Sequence, residues 1–159
     1  MILSLIYNND FPGLLKVIDS QNLNVVDSYG DGPLHFAVLS GNQEIVQLIL
    51  DRRLDVNSKN FDGKTALHLA AEKESISLLR LLMEYSADIH SEDNFGNQPL
   101  WVSVFNASAG EIEKLVIVTF LLENGADVNH KNKHGVSPLE FARKIDFQPL
   151  ILLLERFTN

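Results

Sequence analysis

Histidine and acidic side chains are the groups in this chain that could carry chemistry. The 159 residues include five histidines, 21 aspartates and glutamates and no cysteine. His90, His130 and His134 fall at predicted turn positions, which do not place two metal ligands on one face of a helix. Glu72 and Glu74 are two residues apart and point to different sides of a helix, as on a solvated surface rather than in an acid–base pair. We therefore expect no metal site and no catalytic residues.

Cofactor motifs give no stronger signal. The segment "GDGPLH", residues 30 to 35, lacks the third glycine of a dinucleotide-binding loop, and the chain has neither a P-loop nor a G-x-S-x-G motif. We therefore expect no cofactor and no enzymatic activity. His35 and His68 are 33 residues apart and occupy the same position of a repeated block. This repetition, rather than any single residue, indicates how the chain is built.

Four segments of the chain align with one another. Their glycines at the fourth position, Gly30, Gly63, Gly96 and Gly135, are separated by 33, 33 and 39 residues. The aligned segments are "DSYGDGPLHFAVLSGN" from Asp27, "NFDGKTALHLAAEKES" from Asn60, "DNFGNQPLWVSVFNAS" from Asp93 and "NKHGVSPLEFARKIDF" from Asn132.

Each block predicts a turn followed by a helix. Asp or Asn three residues before Gly is typical of a tight turn. Thr65 and Ser137 are suited to cap the next helix, and Pro33, Pro99 and Pro138 are suited to its first turn. The leucine after each of these positions should be buried: Leu34, Leu67, Leu100 and Leu139. Apolar residues at i, i+3 and i+4 then predict a second helix in each repeat.

This 33-residue pattern resembles the ankyrin repeat, and the resemblance covers nearly the whole chain. It implies an all-α solenoid of about five helical hairpins joined by β-turn fingers, in one domain over 1–159. The repeats would be a degenerate first repeat 1–26, then 27–59, 60–92, 93–131 and a C-terminal cap 132–159. In the first repeat, Pro12 and Gly13 are expected to separate the two helices. The resemblance also implies that His35 and His68 tie adjacent turns together by hydrogen bonds.

The 93–131 repeat is irregular in two ways. It has about six extra residues around "NASAGEIEK", which predict either a longer connection between its helices or a loop that contacts a partner. It also has Trp101 where two other repeats have histidine, and the indole could serve either packing or contact.

Composition and charge narrow the class of partner. The hydrophobic fraction of 45% suits a globular protein, and the formal charge of −8 disfavours nucleic acid and membrane surfaces and favours a basic partner. The first ten residues lack the features of a secretory leader, and no segment approaches a membrane-spanning length. We expect a cytoplasmic protein that is monomeric when free.

The resemblance implies protein binding through the concave side, formed by the fingers and the first helix of each pair. Exposed aromatic residues on successive finger tips favour an interface, the alternative being that they pack on neighbouring fingers. The predicted partner-binding residues are Tyr29, Asp31, Leu39, Phe61, Asp62, Lys64, Glu72, Glu92, Phe95, Asn97, Trp101, Phe105 and Asn106.

The identity of the partner rests on a softer likeness. The segment from "GNQPLWVSVFN" to "GVSPLEFA" resembles stand-alone bacterial ankyrin proteins of the toxin-immunity type. That resemblance implies an immunity protein that blocks the site of a basic toxin, such as a nuclease. A general scaffold or secreted effector that binds a host protein is the first alternative, and an inhibitor of a kinase or transcription factor is the second.

Overall fold

The computed structural model describes residues 2–158, and within them all regular secondary structure is helical, with no β-strand. The helices alternate with turns as the repeat pattern predicts, so the all-α fold class is confirmed. A short 3-10 helix, Ile112–Lys114, precedes α8. The α-helices are α1 (Ile2–Tyr7), α2 (Phe11–Val17), α3 (Pro33–Ser40), α4 (Gln43–Leu50), α5 (Ala66–Glu72), α6 (Ile76–Glu84), α7 (Pro99–Ala107), α8 (Leu115–Glu123), α9 (Pro138–Ile145) and α10 (Gln148–Glu155).

The helices form two layers. The first helices of the hairpins pack in a row, α1 on α3, α3 on α5, α5 on α7 and α7 on α9. The second helices lie behind them, with α4 against α6 and α8 against α10. The core lies between the layers, and the four leucines predicted to be buried, Leu34, Leu67, Leu100 and Leu139, are at most 5% exposed. None of the helices within residues 2–158 is long and apolar enough to cross a membrane.

Helix starts follow the predicted capping chemistry. Ser137 Oγ accepts the Glu140 amide at 3.2 Å, and the Ser137 amide donates to Glu140 Oε2 at 2.9 Å, a reciprocal capping box. Thr65 is the N-cap of α5, and Pro33, Pro99 and Pro138 begin α3, α7 and α9. A proline costs nothing at this position because the first helical amides have no partner inside the helix.

The first repeat corrects one prediction. Pro12 and Gly13 do not separate its helices, since both lie in the first turn of α2. The break is formed by residues 8–10, where Asn9 has a positive φ of 56° and Asp10 Oδ1 accepts the Gly13 amide at 2.9 Å. A proline in a helix interior breaks the helix because it has no amide hydrogen to donate, but the same lack is tolerated in the first turn. The position of Pro12 in the sequence therefore does not distinguish a break between helices from the start of a helix.

The extra residues of the third repeat lie between its two helices, as predicted. α7 ends at Ala107, and the chain reaches α8 through residues 108–111 and the 3-10 helix. Lys114 Nζ lies 2.9 Å from Glu74 Oε1 and 3.2 Å from Glu111 Oε2, and these contacts raise the pKa of Lys114. This insertion, residues 108–114, is therefore tied to the hairpin of the preceding repeat.

Candidate functional site

The fingers, residues 27–32, 60–65, 93–98 and 132–137, share one internal geometry. Asp93 Oδ1 accepts the Phe95 amide at 2.8 Å and the Asn97 amide at 2.9 Å. Asp27, Asn60 and Asn132 accept the equivalent pairs of amides in their own fingers. One side chain thus fixes each finger, which explains why Asp or Asn starts every block.

Backbone hydrogen bonds join the fingers into a ladder. Between the first and second fingers, the Phe61 amide donates to the Tyr29 carbonyl at 2.9 Å. The Asn94 amide donates to the Asp62 carbonyl at 2.9 Å, and the Lys133 amide donates to the Phe95 carbonyl at 2.8 Å. At Gly30, whose φ is 79°, a Cβ would lie 2.5 Å from the Phe61 ring. The close approach of the next finger therefore requires glycine there.

Histidines tie the first three fingers to one another. His35 Nε2 donates to the Lys64 carbonyl at 3.0 Å, and His68 Nε2 donates to the Asn97 carbonyl at 3.0 Å. His68 Nδ1 accepts from the Thr65 amide at 3.2 Å, so both ring nitrogens are used within the protein. Burial lowers the pKa of His68, which favours the neutral ring. These contacts match the role that the ankyrin resemblance implies for the two residues.

Trp101 does not make this tie. Its Nε1 is buried and has no hydrogen-bond partner within residues 2–158. The indole instead stacks on Phe105, with ring centroids 5.6 Å apart and planes 13° apart, and lies 5.3 Å from the ring of Phe141. The third and fourth fingers are joined by Asn132 Nδ2, which donates to Asn97 Oδ1 at 2.8 Å.

The second and third fingers, together with α5 and α7, line an open hollow of about 460 Å³. We call it the inner hollow. It is lined by Lys64, Glu72, Asp93, Phe95, Asn97, Trp101, Val102, Phe105 and Asn106. The hollow brings together the predicted residues of α5 and α7 and of the second and third fingers. The other predicted residues do not line it: Tyr29, Asp31, Leu39, Phe61, Asp62 and Glu92.

Aromatic side chains are unusually exposed along this side. Tyr29 is 72% exposed, Phe61 67%, Phe95 56% and Phe105 53%. Packing on the neighbouring finger is also present, since Phe61 lies over Gly30 and the Phe95 ring stacks on His134 at a centroid distance of 6.5 Å. At Phe61 and Phe95 the ring thus packs on a neighbouring finger while more than half of the side chain stays exposed, and the interface role of the finger aromatics stays a prediction.

Charges on this side are partly paired. Lys64 forms an ion pair with Glu72, and Glu92 Oε1 lies 3.3 Å from His130 Nε2. Asp31 Oδ1 accepts from Asn60 Nδ2 at 2.9 Å. Among the four acids predicted here, Asp31 and Asp62 form no ion pair within residues 2–158.

Phe141 is a residue that the sequence reasoning missed. Its ring completes an aromatic cluster with Trp101 and Phe105, the Phe105 and Phe141 centroids being 5.9 Å apart. Phe141 occupies the position that Val102 occupies one repeat earlier. The equivalent residues of the other two repeats are Phe36 and Leu69, so an aromatic residue at this position, next to the repeat that holds Trp101, was the available signal.

Stacked helical hairpins with a finger ladder and an open inner hollow define a repeat protein that presents a binding surface. Comparisons with known proteins agree. Family models of ankyrin repeats match residues 53–132, as three copies, and residues 15–70. The chain belongs to the ankyrin repeat family, whose repeats serve as protein-interaction scaffolds.

Several curated proteins share the repeat. The chain is 31% identical over 125 residues to the neurogenic locus notch homolog protein 1 of Homo sapiens, covering 77% of this chain and 5% of that protein. It is 29% identical over 139 residues to the nuclear factor NF-kappa-B p105 subunit of Gallus gallus, covering 84% and 14%. An ankyrin repeat protein of Acanthamoeba polyphaga mimivirus is 31% identical over 114 residues, covering 72% and 14%. The chain thus spans only a small part of these relatives.

Proposed function

We propose that this chain is a non-enzymatic binding protein that holds a partner protein against the concave side of its repeats. The observation that carries the proposal is the inner hollow, where Phe95, Trp101 and Phe105 meet at an open surface. Exposed aromatic residues beside a recess are the usual anchors of interfaces. Tyr29 and Phe61 extend the same surface along the finger tips.

In its specific form, the proposal is a cytoplasmic immunity protein of bacterial type, monomeric when free, that blocks a basic toxin by covering its site. The net charge of −8 supports a basic partner, because opposite charge speeds encounter and disfavours wrong partners. Of the four acids predicted to bind the partner, Asp31 and Asp62 are left without an ion pair within residues 2–158, so we expect them to meet the partner's charge along the finger tips.

Co-expression with the products of adjacent genes tests this function. We expect one such product to be toxic alone, and the chain to restore growth and co-elute with it. The double variant Asp31→Lys with Asp62→Lys should weaken the complex, mainly by slowing association. Glu84→Lys with Glu123→Lys is the matched control, since both residues are exposed on outer helices and the change in net charge is equal. If both double variants weakened the complex equally, the partner would not bind through the concave side.

A general adaptor is the second candidate. It is favoured by the small share of the relatives that the chain covers, 14% at most among those described above, since repeats of this kind occur inside much longer proteins. Likeness to the p105 subunit does not single out a transcription-factor inhibitor, because notch and mimivirus proteins match as well. A complex with a non-toxic partner, weakened by the same double variant, would favour the adaptor.

A further inference from the structure

We propose that the inner hollow binds an arginine side chain of the partner, with its guanidinium at Glu72 and its stem over Trp101 and Phe105. This inference rests on the proposed function and adds the chemistry of the group recognised. It follows from three properties of the lining: an aromatic floor, unused hydrogen-bond acceptors and an excess of negative charge.

The aromatic floor comes from α7 and α9. Trp101 and Phe105 are stacked with their planes 13° apart, and Phe141 supports both from α9. Phe105 is 53% exposed, so much of the ring is open to an incoming group. A guanidinium stacks on such faces more readily than an ammonium does, because it is planar and more weakly hydrated.

The polar wall of the hollow offers acceptors. Lys64 occupies Glu72 Oε1, and within residues 2–158 Glu72 Oε2 receives no hydrogen bond. Asn106 donates its Nδ2 to the Glu72 carbonyl at 3.3 Å, while its Oδ1 receives none from the described residues. The arrangement therefore favours a ligand rich in N–H donors, and arginine has five in a fixed plane.

The net charge of the lining also favours a cationic ligand. The lining has two carboxylates, Glu72 and Asp93, and one ammonium, Lys64, which leaves one negative charge in excess. Asp93 is consumed by its own finger, since its oxygens accept the amides of Phe95 and Asn97 and the side-chain amide of Asn97. Glu72 is already paired with Lys64 through Oε1, so its Oε2 is the carboxylate oxygen of the hollow that remains open to a guanidinium.

Trp101 supplies the measurement, since it is the only tryptophan of the chain. Its emission reports directly on the hollow. We would titrate the full chain with four peptides of one Gly-Ser sequence whose central residue is arginine, lysine, citrulline or norleucine. We expect the arginine peptide to change the emission and to bind about fivefold to tenfold more tightly than citrulline, which has the same shape without the charge. Lysine and norleucine should also bind more weakly.

Two variants locate the contact. Glu72→Gln should reduce the advantage of arginine over citrulline to less than about twofold, because the charge is removed while the shape is kept. Glu84→Gln is the control, since Glu84 is exposed on α6 and does not line the hollow, and the advantage should persist. Circular dichroism of both variants verifies folding. Equal affinity for all four peptides, a better lysine or norleucine peptide, no response to arginine, or an unchanged Glu72→Gln variant would each overturn the arginine assignment. A partner complex that forms despite such a result would leave the proposed function standing.

Discussion

The second repeat, residues 60–92, and the third, residues 93–131, solve the same structural problem differently. In the second, His68 is buried, and its two ring nitrogens join the cap of its own helix to the next finger. In the third, Trp101 makes no such hydrogen bond to any of residues 2–158 and instead joins an aromatic cluster with Phe105 and Phe141. In the second repeat the residue at this position stabilises the finger ladder, whereas in the third repeat it lines the inner hollow.

This difference shows where specificity can arise in a repeat array. Neighbouring repeats share a core and a finger ladder, so one repeat can lose a tie if others remain. Here Asn132 and His130 still connect the third and fourth fingers, through Asn97 Oδ1 at 2.8 Å and the Gly96 carbonyl at 3.1 Å. The freed position then lines the inner hollow.

The largest expected effect concerns what the two repeats share. Leu67 and Leu100 are both fully buried at equivalent positions. Leu67→Ala and Leu100→Ala should each lower the free energy of unfolding by roughly 2–5 kcal/mol, through lost apolar contact and a residual cavity. Urea unfolding measures both. A much smaller loss for Leu100→Ala would show that the third repeat is less tightly packed than the second. The two repeats would then differ in their core as well as at Trp101.

The next effect concerns the histidine tie. His68→Ala leaves the Asn97 carbonyl and the Thr65 amide without their histidine partner. We expect a loss of roughly 1–3 kcal/mol in the free energy of unfolding, the usual cost of buried unpaired polar groups. His35→Ala, at the same position one repeat earlier, should behave alike. If His68→Ala were as stable as the wild type, the ladder would not depend on this residue.

The titration of His68 gives a pH test of the same tie. Burial holds its pKa below the ordinary value of 6.5, so the unfolded chain binds the proton more readily than the folded one. The stability due to neutral His68 is present above pH 6.5 and is lost as the pH falls through the folded-state pKa. The fall in unfolding free energy from pH 7 to pH 5 should therefore be smaller in His68→Ala. An identical fall in both proteins would show that other groups account for it.

The sequence predicted what repeats and located the irregular repeat, but it missed the contacts that side chains of separate elements make with one another. The buried leucines and the finger turns depend on local chemistry that recurs four times, and the hydroxyl caps at Thr65 and Ser137 on local chemistry that occurs twice. The Lys64 and Glu72 ion pair and the contribution of Phe141 depend instead on which side chains of separate elements meet. Periodicity carries no information about such contacts, because it specifies positions and not the directions of long side chains.

A smaller effect is expected at Trp101 itself. Trp101→Phe removes the buried Nε1, which has no partner within residues 2–158, but keeps a ring against Phe105 and Phe141. The lost area and the removed desolvation cost oppose each other, so the free energy of unfolding should change by less than about 1 kcal/mol. Chemical unfolding followed by circular dichroism measures it. A loss above about 2 kcal/mol would mean that the indole N–H is satisfied, which would make Trp101 a structural tie like His68.

The smallest effect separates the insertion from the rest of the third repeat. Lys114 holds residues 108–114 to the preceding repeat through Glu74 and Glu111. Lys114→Ala should speed hydrogen exchange in that segment and leave the unfolding midpoint nearly unchanged, because surface ion pairs contribute little to global stability. Lys131→Ala, which removes a surface pair with Glu140, is the control and should leave exchange in 108–114 unaltered.

Since Asn106 is held to the Glu72 carbonyl beside this insertion, faster exchange spreading into α7 would show that the insertion supports the wall of the inner hollow. Unchanged exchange in Lys114→Ala would mean that the backbone turn at Gly110, with its φ of 84°, fixes the insertion without the ion pairs.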